Sequence, residues 1–187
     1  QFEQYDDRRV YGGRFEYVLP ASFTSAPGAL RSGVELRRDE IEPVGLFLTT
    51  QAQRRETVRV DDVTQSSYSA YVAHDQRWND WLRTELGLRF DHFDFDVSSN
   101  LATNSGDASD SIASPKATVV LGPWNETEYF INAGRGFHSN DARGTTIRVD
   151  PTDGVTPVDR VDPLVAATGG EVGFRSGIVP GLQLYGA

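Results

Sequence analysis

The 187-residue sequence has no cysteine, which excludes a disulfide framework, a zinc–thiolate site and a cysteine nucleophile. It has no methionine either, and Gln1 stands at position 1, so the chain reads as an internal or processed piece of a longer product. Basic residues are in deficit. Eighteen Lys and Arg against 27 Asp and Glu give a formal charge of −9, the wrong sign for a nucleic-acid or anionic-membrane surface. Long apolar runs are missing as well, the longest (Ala70 to Ala73, Leu164 to Ala167) being four residues. A spanning helix needs about 20 apolar residues and a secretory signal about 7–15.

Aromatic residues are plentiful: 3 Trp, 7 Tyr and 10 Phe stand beside 18 Gly and 9 Pro, with a mean hydropathy of −0.44. This mixture points to β structure. Membrane barrels remain open because their strands hide apolarity in every second residue. The clearest alternation is WLRTELGLRF. Leu82, Thr84, Leu86, Leu88 and Phe90 take one side, and Arg83, Glu85, Gly87 and Arg89 the other, continuing to Asp91. Similar patterns predict strands at Tyr11–Leu19, Leu30–Arg38, Tyr68–His74, Lys116–Leu121, Glu128–Arg135 and Glu171–Arg175, with an eighth beginning at Leu182. Phe130 breaks the polar side of its strand. No segment reads as an amphipathic helix.

Tight turns are expected at Trp78-Asn79-Asp80, Gly122-Pro123-Trp124-Asn125 and Pro180-Gly181. Long connections are expected around 42–63, 96–113 and 137–167. Short and long connections thus alternate, which in an up-and-down sheet puts them on opposite rims, as in outer-membrane barrels. Trp78, Trp81 and Trp124, with Tyr129, gather at the short turns, where amphipathic rings suit a lipid–water boundary.

Two stretches carry a resemblance: INAGRGFHSNDARGTT from Ile131 and DPLVAATGGEVGFRSGIVPGLQL from Asp162. Together they resemble the C-terminal barrel of TonB-dependent outer-membrane receptors. Asp75–Phe95 and Ser114–Thr127 look like earlier parts of the same barrel. The resemblance implies a barrel of about 22 strands around a plug, taking up scarce solutes such as iron–siderophore complexes with energy delivered through TonB. The expected fold is an all-β, antiparallel, up-and-down fragment of seven to eight strands forming an open curved sheet. The whole chain, 1–187, is expected to be barrel, without the plug or the final strand. Expected partners are outer-membrane lipid, the plug, the TonB complex through an absent N-terminal part, and a small solute. No nucleic acid, cofactor or catalytic activity is expected, and the expected location is the outer membrane of a Gram-negative bacterium.

The expected lipid-facing residues are Leu82, Leu86, Leu88, Val119, Ile131, Val172 and Leu184. The expected lumen-facing residues are Glu35, Arg37, Arg83, Glu85, Arg89, Asp91, Lys116, Glu171 and Arg175. The latter would meet a plug or solute, or form a self-satisfied ladder of ion pairs. Candidate solute contacts at a loop root are Arg135, His138, Asn140, Asp141 and Arg143. His138, Ser139 and Asp141 are also the residue types of a hydrolytic triad, but adjacency in sequence rarely aligns such groups and no Gly-x-Ser-x-Gly elbow is present. His92, Asp94 and Asp96 share one side of a strand, where a spacing of about 6.6 Å keeps three ligands from converging on one ion. The doublets Arg37-Arg38, Arg54-Arg55 and Asp61-Asp62 read as solvated loop charges. Two other architectures fit the strand pattern less well: a self-contained eight-stranded barrel with a structural or adhesion role, and a soluble β-sandwich that binds carbohydrate.

Overall fold

Alternation along the chain builds strands longer than the sequence pattern marks. The computed structural model describes residues 1–187 and contains eight of them: β1 (Phe2–Pro20), β2 (Gly28–Thr50), β3 (Gln53–Arg77), β4 (Leu82–Ser99), β5 (Gly106–Trp124), β6 (Thr127–Ser139), β7 (Leu164–Val179) and β8 (Leu182–Gly186). Each pairs antiparallel with its sequence neighbour in the order β1 to β8, so β1 and β8 are the two edges. The sheet is open, unlike the closed eight-stranded alternative. It is also single, unlike a sandwich.

Two of the expected long connections are strand. Around 42–63, β2 and β3 continue to a two-residue turn at Gln51-Ala52, both with positive φ, as a primed hairpin turn requires. Around 96–113, β4 and β5 run up to a connection of residues 100–105 holding one 3-10 turn, Ala102–Asn104. Within 42–63 the charged doublets Arg54-Arg55 and Asp61-Asp62 looked like loop. Only the third connection, residues 140–163, is long and carries a short helix, α1 (Ala142–Thr146). On the opposite rim the links are 21–27, 78–81, 125–126 and 180–181. The turn expected at Gly122–Asn125 is centred on Asn125-Glu126, again at positive φ, with Gly122 and Pro123 inside β5. Gln76, only 2% exposed, holds the 21–27 link by accepting from the Phe23 N–H at 2.9 Å and donating to the Thr24 hydroxyl at 3.1 Å.

Register places the charged positions together. Arg83, Glu85, Arg89 and Asp91 of β4 oppose Arg77, Asp75, Tyr71 and Ser69 of β3, and Val120, Thr118, Ser114 and Ile112 of β5. The other face holds the apolar positions and leaves them uncovered: Leu86 is 57% exposed, Ile131 47% and Val172 70%. At the short-turn end of this face Trp81 stacks on Trp124 (6.3 Å between centroids), which meets Tyr129 at 6.2 Å. Phe130, the break in its strand's pattern, stacks on Tyr185 at 5.6 Å.

Near Asp91 the two faces exchange character. Beyond it, His92, Asp94 and Asp96 continue the formerly apolar face, while Phe93, Phe95 and Val97 continue the charged one. Phe95 and Val97 are 1% and 2% exposed and form a small core with Ile41, Val63 and Ala142 of α1. The hairpin ends therefore have an apolar inside and a polar outside, the arrangement expected of protein surrounded by water. Asp61, expected to be solvated, is buried here against Arg59.

Candidate functional site

A strand spaces same-side residues by about 6.6 Å, within the reach of an arginine side chain. The charged face uses that reach repeatedly. Arg8 meets Asp6 at 3.0 Å, Arg14 meets Glu16 at 2.8 Å, Arg37 meets Asp39 at 3.1 Å and Arg89 meets Asp91 at 2.9 Å, each two residues apart on one strand. Arg59 and Asp61 form the same pair, with the Asp61 side chain wholly buried.

Other pairs cross strands. Arg89 also reaches Glu35 at 3.3 Å, two strands away, and Arg83 reaches Glu128 at 2.9 Å. Arg175 shares Glu128, and Lys116 pairs with Glu85. Glu171 accepts from the Tyr185 hydroxyl at 3.1 Å. The cations of this wall are thus largely matched by neighbouring carboxylates, whether or not anything else touches them.

At the hairpin end, Asp6, Arg8, Arg37, Asp39, Gln65 and Ser67 line a polar hollow together with Asn140, Asp141 and Arg143. Chain direction reverses where β6 gives way to the 140–163 connection. Asp141 caps α1 by accepting from the Arg143 N–H at 2.9 Å and binds the Arg143 guanidinium at 2.6 Å. Partial burial by itself would raise the Asp141 carboxyl, though 55% of its side chain stays exposed; the hydrogen bonds from Arg143 outweigh this and hold it below its ordinary value. Hydrogen bonding to Asp141 raises Arg143 in turn.

The five expected loop-root residues therefore separate. Asn140, Asp141 and Arg143 share the hollow. Arg135 lies in a second one nearer the middle of the strands, with Arg14, Arg31, Tyr71, Arg89 and Lys116. His138 is exposed and lines neither. His92 bonds Ser111 through Nδ1 at 2.8 Å and Asp94 through Nε2 at 3.2 Å, so both ring nitrogens are engaged along the strand wall.

Sequence reading missed Asp6, Arg8, Asp39, Gln65 and Ser67. For Asp6, Arg8 and Asp39 the available signal was the spacing Asp6-x-Arg8, Arg37-x-Asp39, Arg59-x-Asp61 and Arg89-x-Asp91, which puts opposite charges on one side of an extended chain; Gln65 and Ser67 had none.

Residues 1–175 match the family described as TonB dependent receptor-like, beta-barrel. No curated protein matches the sequence. Among solved structures, the chain is similar to the ferric citrate transporter FecA in its unliganded form, with a TM-score of 0.70 at 12% identity over 94% of this chain. The chain spans about a quarter of that protein's length, 26%.

Proposed function

Since this chain belongs to the TonB dependent receptor-like β-barrel family, we propose that it forms part of the wall of an outer-membrane receptor that takes up a scarce solute. The observation that carries the reading is the opposition of the two faces. In this reading Leu82, Leu86, Leu88, Val119, Ile131, Val172 and Leu184, on one face of the sheet, meet lipid. The ladder from Glu35 to Arg175 faces the lumen. Exposed apolar area on this scale is a liability in water and the normal condition of a barrel wall in a bilayer. The unpaired edges at β1 and β8 then take further strands, because closure removes free N–H and C=O groups from hydrocarbon.

In this reading the rim with the 140–163 connection is extracellular, and Trp78, Trp81, Trp124 and Tyr129 mark the periplasmic boundary. A plug fills the lumen, and TonB supplies the energy for transport. The hollow with Asp141 and Arg143 lies on the solute's path, and an iron–siderophore complex is the cargo class. The chain is a transporter component and has no catalytic role.

The test is uptake by the full-length protein. Cells lacking its gene are starved of iron and supplied with radioactive ferric citrate or a radioactive ferric hydroxamate. Uptake of one of them, restored by the wild-type gene and abolished by loss of TonB, supports the reading. Uptake of both that is indifferent to the gene overturns the iron assignment, and a protein recovered in the soluble fraction overturns the membrane assignment.

A further inference from the structure

Asn104 is wholly buried in the 3-10 turn between β4 and β5. Its Nδ2 donates to the Val149 carbonyl at 3.0 Å, and its Oδ1 accepts from the Arg148 and Val149 N–H groups at 2.9 and 3.0 Å. Its backbone carbonyl accepts from the Thr146 hydroxyl at 2.9 Å. A buried amide must be satisfied somewhere. Here every side-chain bond runs to one segment, 44 or 45 residues further along the chain.

That segment is the middle of the 140–163 connection, which is closed at its own base. The Asn140 N–H donates to the Pro163 carbonyl at 2.9 Å, and its side chain to the Asp162 carbonyl at 2.7 Å. Further out, the Val161 N–H donates to the Gly144 carbonyl at 3.0 Å, and Val149 pairs with Pro157. A loop whose ends meet in this way is a compact unit closed at its base. Ala142 holds the base in the hairpin core. Asn104 ties the outer part to a neighbouring hairpin, where the connection would otherwise project into water.

We propose that Asn104 is a positioning residue: it makes the 140–163 connection a fixed wall of the mouth in place of a flap that opens and closes. Asn140, Asp141 and Arg143 then keep their places in the hollow before any solute arrives. The significance for transport rests on the function proposed above, but the fixation does not.

The experiment uses the full-length protein in detergent micelles, with spin labels at Val155→Cys and Asp107→Cys, both exposed positions. The parent should give one narrow distance distribution. Asn104→Ala should lose it, and trypsin cleavage at Arg148 should rise about tenfold or more, because cleavage follows the open population. The barrel's resistance to unheated SDS should be unchanged, which a general loss of stability would not allow. Asn104→Asp keeps both acceptor bonds but turns a carboxylate towards the Val149 carbonyl, so it should move the same readouts in the same direction. It also serves if the alanine variant does not fold. A parent distribution that is already broad, or variants as narrow as the parent, would overturn the proposal. No solute is used, so failure of the transport reading would leave this result standing.

Discussion

Tyr71 lies across Gly33: a β-carbon at residue 33 would come within 2.5 Å of the Tyr71 hydroxyl. That hydroxyl accepts from Arg14 at 2.8 Å and donates to Glu16 at 2.5 Å, so the missing side chain on β2 lets an aromatic from β3 reach the charges of β1. Gly33→Ala should cost about 1–3 kcal/mol, as overpacking does elsewhere. Tyr71→Ala should relieve only part of this, because the Phe15 carbonyl oxygen lies 2.7 Å from the same point. A double-mutant cycle by urea unfolding in lipid vesicles measures the coupling, and additive costs would show that the ring is not the obstacle.

Leu86 and Glu85 are adjacent and face opposite ways. In the full-length protein, Leu86→Arg should cost on the order of 2–4 kcal/mol if it meets lipid near the bilayer middle. Glu85→Gln, which leaves Lys116 facing water in the lumen, should cost far less. Refolding titrations into vesicles compare the two, and equal costs would remove the assignment of faces.

Sidedness is read by labelling. A cysteine at Thr103, exposed at the β4–β5 tip, should react with an impermeant maleimide on intact cells, while one at Asp80 should react only after lysis. The opposite pattern would invert the orientation.

The Asp141 carboxyl is held below its ordinary value of 3.8 in the folded protein. The unfolded state then binds the proton more readily, so the stability this group contributes is present above about pH 4 and is lost as pH falls through the depressed folded value. Hydrogen exchange across 141–146, corrected for the intrinsic rate, should show protection unchanged from pH 6 to 4 and falling below that. In Asp141→Asn this acid-dependent fall should be smaller.

The strand pattern was legible wherever lipid-type and charged faces alternate cleanly, as from Leu82 to Asp91, and the edges at Tyr11 and Leu182 followed from it. The hairpin ends were not legible as strand: beyond Asp91 the alternation continues with its faces exchanged, so no single apolar face runs the length of the strand. His92, Asp94 and Asp96 were placed on one side from sequence, but no role was read for the apolar residues opposite them, Phe93, Phe95 and Val97. Their purpose depends on Ala142 arriving from a connection far along the chain, which no local window contains. Of the loop-root residues named from sequence, Asn140, Asp141 and Arg143 share one hollow; of the β1–β3 residues that line it, only Arg37 had been placed on the lumen face, since that meeting is tertiary. Asn104 gave no sequence signal at all, because an Asn in a polar loop is ordinary until its bonds are known.

In the proposed membrane setting, the exchange of faces at Asp91 would also set the depth at which the molecule sits. Below it the strands suit hydrocarbon on the outside; above it the same surface carries His92, Asp94 and Asp96, each expensive to drag inward. The paired indoles of Trp81 and Trp124 resist movement in the opposite direction. On the proposed function the wall would be fastened at both ends, like a bolt between head and nut, and a pull from the periplasm should reach whatever the lumen holds without sinking the barrel itself.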